Sequence, residues 1–238
     1  MIEDIRTVMW KEWKEIWRGG SRTRIFPFII LLIFGAVIVP DALRGGAADW
    51  STVLYLLIWL PFLFSANIIA DSVAGERERH TLETLLASRL PDRAIVLGKM
   101  SVTISYAWGM ALLGSGLALV VANLRSSSLV LYPADVLVGV VGLSLLAAVF
   151  VSALGVLVSL KAQTSREAQQ IIAISSLVIP FGSLLIVPNL PGGALSSIVG
   201  GGLDEVILLV GVLFLVMDAV LVLVALTQFK RTKLMAHH

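Results

Sequence analysis

The chain has 238 residues, of which 58% are hydrophobic and 14% charged, whereas a soluble domain runs at roughly 45–50% apolar and about 25% charged. A mean hydropathy of +0.94 excludes a soluble enzyme and a disordered chain alike, and the lack of cysteine excludes disulfides, thiolate nucleophiles and thiolate metal sites. The formal net charge is only +2, from 18 basic and 16 acidic residues, so the information in the charges lies in where they sit.

Residues 2–18 read as an amphipathic helix lying on a membrane. Ile2, Ile5, Met9, Trp13 and Ile16 recur at helical spacing with Trp10 and Trp17 flanking them, while Lys11, Glu12, Lys14, Glu15 and Arg18 cover the other face. Tryptophan favours the headgroup zone, so Trp10, Trp13 and Trp17 are the expected interfacial anchors. This segment is expected to stay on the chain: 24 residues with three tryptophans and four acids precede the first apolar run, unlike the brief basic start of a signal peptide.

A helix needs about 20 mostly apolar residues to cross the hydrocarbon layer. Six stretches qualify: 25–39, 53–70, 100–122, 136–160, 171–187 and 206–229. Their continuous apolarity does not fit the alternation of barrel strands. Sixteen of the 18 basic residues then fall on one side, in the N-terminal segment, the connections 71–99 and 161–170, and the tail; Arg44 and Arg125 are left for the other. Positive charge stays inside. The expected fold is therefore an all-α integral membrane protein with a single transmembrane domain over 1–238, six transmembrane helices, an N-terminal interfacial helix and both termini cytoplasmic, in the cell membrane.

Span two carries Pro61, expected to kink it, and Asn67 near its inner end, a polar position that is a candidate for lining a pathway across the membrane. The segment 71–99 is the longest inner connection. Glu76 to Ser88 reads as one helix, with Leu82, Leu85 and Leu86 as an apolar stripe, Glu76, Arg77, Glu78, Arg79 and Glu83 as a mixed-sign polar face, and Pro91 as its stop. A solvated connection and a docking surface both fit that pattern. Small residues recur every four positions in span three (Ser101, Ser105, Gly109) and span four (Ser144, Ala148, Ser152), the spacing of close helix packing. Pro180 and Gly182 mark a second kink in span five. The outer segment 188–205, rich in glycine and proline around an apolar 194–199, reads as a re-entrant segment or a linker. Asp218 lies midway along span six, where a lone carboxylate costs roughly 2.5–3.5 kcal/mol on insertion scales. A hydrogen bond to a span serine or threonine and a place on a pathway are its two readings.

No phosphate-binding loop is present, since Gly98-Lys99 lacks the spacing and the strand it needs. His80 is the only histidine before the C-terminal pair, so neither a metalloprotease motif nor a Ser-His dyad within the membrane exists. No catalytic residue, metal site or nucleic-acid partner is expected.

The segment from Asp71 to Met100 resembles the region after the second span of ABC-2-type transporter permeases. The matching residues are Asp71, Gly75, Glu76, Arg77, Glu78, Thr81, Leu82, Glu83, Leu85, Leu86, Leu97, Gly98 and Lys99. His80 stands where glycine is usual and Arg89 where proline is usual. The resemblance implies an ATP-driven exporter whose permease chains pair, most simply as a homodimer, over two cytoplasmic ATPase subunits that bind the ATP and magnesium. It also implies that Glu76, Arg77, Glu78, Arg79, Thr81, Leu82, Glu83, Leu85 and Leu86 form the coupling helix against the ATPase, with 161–170 as a second contact. The lipid bilayer is the remaining partner. A six-span channel or a membrane scaffold working without ATP is the alternative class.

Overall fold

The computed structural model describes residues 1–18, 21–43, 50–126, 129–186 and 203–229, all of whose regular elements are helical. The glycine-rich stretch 188–202, Arg44 and the basic tail lie outside the described residues, as do the side chains of Trp17, Asn67, Glu83 and Leu86. In chain order, α1 covers Ile2–Arg18, and α2 covers Ser21–Ile33 and continues through a π-helical turn, Phe34–Ile38, into Val39–Ala42. Helices α3 (Trp50–Ile58) and α4 (Leu60–Ala70) follow, then a second π-helical turn, Asp71–Gly75. Beyond it come α5 (Glu76–Glu78), α6 (Leu82–Ala87), α7 (Asp92–Arg125), α8 (Ala134–Lys161), α9 (Ser165–Ile186) and α10 (Leu203–Gln228).

The described residues of each expected apolar stretch are helical, apart from Trp59 and Phe229. Among the described residues, four helical runs are long and apolar enough to cross a membrane: Ile25–Ala42 within α2, and α7, α8 and α10. The second stretch is divided between α3 and α4 at Trp59, whose carbonyl takes the Phe62 N–H at 3.2 Å. Pro61 explains the break, since it lacks an N–H and its ring crowds the carbonyl four residues back. The π-helical turn in α2 runs into Pro40, which likewise removes a helical donor.

Helix α8 is the centre of the bundle: 61% of its span is buried, against 6% of α10's. Lipid tails give spans no hydrophobic reason to associate, so close approach must come from small residues. On α8 it does. Ser144, Ala148 and Ser152 are fully buried, and a side chain at Gly155 would strike Ile69 of α4, with the added Cβ 2.4 Å from Cγ2. The corresponding stripe on α7 behaves otherwise: Ser105 is exposed, hydrogen-bonding back to Ser101, and a Cβ at Gly109 would meet open space. Packing of that stripe within the chain is therefore not found among the described residues.

The expected single helix from Glu76 to Ser88 is instead two short pieces. His80 has φ 57°, the left-handed region. The His80 N–H bonds the Arg77 carbonyl at 3.1 Å and the Thr81 N–H the Glu76 carbonyl at 2.9 Å, the bond pair with which helices commonly terminate around a left-handed residue. Glycine suits that place best; histidine is among the residues that tolerate it.

Candidate functional site: the junction at the basic end of the bundle

The segment after α4 is held to α8 and α9 by its own polar atoms. Widening of the helix at Asp71–Gly75 frees backbone groups, and the buried Ser159 hydroxyl of α8 meets them: it donates to the Ala70 carbonyl at 3.1 Å and accepts from Val73 and Ala74 N–H at 3.1 and 2.9 Å. Arg77 then donates to the Ala162 and Leu160 carbonyls at 2.7 and 3.2 Å, satisfying the open C-terminus of α8 with a cation, as the helix dipole favours. Glu78 takes the next helix: its Oε2 accepts from the Ser165 hydroxyl at 2.6 Å and the Ser165 N–H at 3.2 Å. These two bonds, aided by Arg166 and Arg79, hold the Glu78 carboxyl below its ordinary pKa of 4.5. The connections 71–99 and 161–170 are thus joined side by side.

Glu76 does not share that outward orientation. Its carboxylate is 4% exposed, and its Oε1 lies 2.9 Å from Lys11 Nζ and 3.0 Å from Lys99 Nζ. Lys99, 3% exposed, also reaches Glu12 Oε1 at 2.8 Å. Placing Glu76 on a polar edge toward a partner is thereby corrected: a buried carboxylate needs paired cations, and its cations come from α1 and α7. Burial works against the charge of Lys11, but the hydrogen bond and charge of Glu76, with Glu12 and Glu15, outweigh it and raise its pKa above 10.5. The apolar underside of the junction is Ile69, Val73, Leu82, Ile95 and Val96.

Helix α1 is turned accordingly. Its inward side comprises Val8, Glu12 and Ile16 together with Ile5, and Glu12 is not on the outer polar face. Gly98 makes this possible, because a Cβ there would lie 2.6 Å from Val8 Cβ and 3.3 Å from the Ile5 carbonyl. Ile2, Trp10 and Trp13 are exposed, and Lys14 Nζ stands 5.2 Å from the centre of the Trp10 ring.

Of the remaining expected site residues, Arg79 and Thr81 are exposed beside Glu78, Leu82 is buried and Leu85 is half-buried. Asp218 is far from this junction in sequence and stands on the side of α10 that carries Gly211, Phe214 and Ala225 toward α8. It is 6% exposed, and neither carboxyl oxygen has a hydrogen-bond partner among the described residues. Of its two readings, the bond to a span serine or threonine is not made among the described residues. The sequence reading missed Lys11, Glu12, Ser159 and Ser165 as members of the junction. A usable signal existed for Glu12: Ile5, Val8, Glu12 and Ile16 recur at 3–4 spacing, and Lys99 was an apolar-flanked lysine lacking a partner.

A family model described as ABC-2 type transporter matches residues 3–193. No curated protein matches the chain.

Proposed function

The chain belongs to the ABC-2 type transporter family, and on that premise we propose that this multi-pass membrane permease is the pathway-forming half of an ATP-driven exporter. Six spans, with α3 and α4 together making the second and α9 the fifth, would put both termini in the cytoplasm of a plasma-membrane protein. Two such chains, most simply identical, would enclose the path, and two cytoplasmic ATPase subunits would bind ATP and magnesium beneath them. Trp10 and Trp13 would sit in the inner headgroup layer. The mainly apolar spans fit a hydrophobic or amphipathic substrate, with Asn67 and Asp218 as the polar positions along its route.

One observation carries this reading: Arg77 and Glu78 fasten the segment after span two to both ends of the α8–α9 connection. A force applied to that segment therefore reaches α4, α8 and α9 together. Glu78, Arg79 and Thr81 face outward there and, with Glu83, form the surface for the ATPase, while Leu82 and Leu85 anchor the segment beneath the spans. Glu76 belongs to the anchor. Reversing charge at Glu78 and Glu83 together should cut co-purification of the ATPase while membrane insertion is unchanged; full co-purification with normal ATP hydrolysis would refute the docking role.

A further inference from the structure

Among the described residues, Asp218 is the carboxyl whose two oxygens are both buried without a hydrogen-bond partner. Such a group is unfavourable in an apolar setting whether charged or neutral. The helix that carries it is held on one side. Ile207 lies over Gly139, where an added Cβ would be 3.1 Å from Ile207 Cδ1, and a Cβ at Gly211 would lie 3.5 Å from Leu143 Cδ2. The Phe214 ring stands edge-on to Phe150, 5.7 Å between centres. The contacts advance together, 207, 211 and 214 on α10 against 139, 143 and 150 on α8, so α10 runs parallel to α8 with Asp218 one turn beyond Phe214. Val212, Leu213, Val216, Met217 and Val220 are exposed around the rest of the helix. Past Glu205, the side-chain hydrogen bond that α10 makes among the described residues, Thr227 to the Val224 carbonyl, stays within the helix.

The contrast with α4 decides where movement is cheap. Ser159 and Arg77 bolt α4 and its extension to α8 through directed hydrogen bonds, whereas past Glu205 the contacts of α10 with α8 found among the described residues are apolar, held by van der Waals packing rather than by hydrogen bonds. We infer that the α8–α10 contact is a moving interface of the transport cycle, with Asp218 buried in the state described here and brought to water in the other. The unpaired carboxyl is what makes the closed contact metastable. It disfavours the state that hides it, so α10 is biased to leave when the junction at the basic end is pushed. This rests on the transporter reading above and adds to it the element that moves.

The test uses the full chain in lipid nanodiscs with its ATPase bound. Leu221→Cys places a unique thiol one turn from Asp218 in this cysteine-free chain. Its labelling by N-ethylmaleimide should quicken at least tenfold when ATP and vanadate trap the ATPase closed, while Met217→Cys, on the exposed side, should label at one rate throughout. Equal rates at position 221 in both states would overturn the inference. Should a thiol at 221 disturb packing, Leu143→Cys with Gly211→Cys supplies a second readout. Oxidation should join α10 to α8 and suppress ATP hydrolysis by the complex at least fivefold, with recovery on reduction; undiminished hydrolysis by fully cross-linked complex would overturn the inference equally. A wild-type chain that retains no ATPase would count against the transporter reading itself, and co-purification tests that separately before any cysteine is introduced.

Discussion

Lys99 Nζ lies 2.8 Å from Glu12 Oε1, joining residues 87 positions apart at a depth where Lys99 is 3% exposed. The ammonium also serves Glu76, so one buried cation holds the N-terminal helix and the segment after α4 to the first turns of α7. Removing one member of a buried charge cluster leaves its partners desolvated and unpaired, which costs about 3–5 kcal/mol. Lys99→Met should therefore lower stability by that order in detergent-resistance or thermal-unfolding assays. Lys99→Met combined with Glu12→Gln should recover part of the loss, since Glu76 keeps Lys11 as its cation. A Lys99→Met protein that melts with the wild type would refute the cluster's structural role.

Gly98 predicts a steric counterpart to that ionic one. Any side chain at 98 must displace Val8, whose Cβ is 2.6 Å from where the new Cβ would stand. Overpacking of this kind costs typically about 1–3 kcal/mol, and here it would be relieved by lifting α1. A thiol placed by Val8→Cys, at a position now 3% exposed, should be protected from maleimide in the wild-type background and react readily once Gly98→Ala is added. Equal protection in both backgrounds would show that α1 stays docked.

These residues also show what could be read from the sequence and what could not. The apolar stretches were legible because twenty apolar residues in a row have few other physical solutions, and Pro61 announced its break. The orientation of α1 was not. Isoleucines, methionine and tryptophans cover more than half of its circumference, so apolarity alone does not choose between the side facing the bundle and the side facing lipid. Glu12 chooses, but only because Lys99 is there, 87 residues away. Glu76 was misplaced for the same reason: a carboxylate among Arg77, Glu78 and Arg79 looks like one more surface charge until its two lysines arrive from other elements. His80, in contrast, was marked in advance by standing where glycine is usual, and its positive φ is what that substitution means.

At His80 the expected gain is small and specific. A left-handed backbone costs a residue with a Cβ roughly 1–2 kcal/mol relative to glycine, offset in part by glycine's greater freedom in the unfolded chain. His80→Gly should raise the unfolding midpoint by the equivalent of about 0.5–1 kcal/mol, and His80→Val should lower it, since β-branched residues fit that region worst. Histidine and valine variants of equal stability would contradict the assigned turn.

The tie between Glu78 and Ser165 has a definite pH dependence. The folded-state pKa of Glu78 lies below its ordinary 4.5, so its contribution is fully present above that value and is lost as pH falls through the folded one. Glu78→Gln and Ser165→Ala should each weaken the acid dependence of the α5–α9 contact below about pH 4.5, followed as the loss of protease protection in the 161–170 connection. Acid profiles identical to wild type in both variants would remove Glu78 from the tie.

Asp218 separates stability from function. Had its carboxyl been bonded to a span hydroxyl, Asp218→Leu would leave that hydroxyl unpaired and destabilise the protein. With both oxygens buried and without a partner among the described residues, the sign reverses: leucine keeps the forked shape, removes the unsatisfied atoms and should stabilise the described state by about 1–3 kcal/mol. Asp218→Asn keeps a buried polar group and should leave stability close to wild type. If α10 must leave α8 for the cycle to proceed, the leucine variant is the more stable and the less active of the two, with ATP hydrolysis by the complex reduced while its ATPase still co-purifies. Asparagine should retain most of that activity, because its amide is also better satisfied by water than by the α8 contact. Thermal melting and hydrolysis rates on both variants check this pairing, and a leucine variant that is destabilised or fully active breaks it.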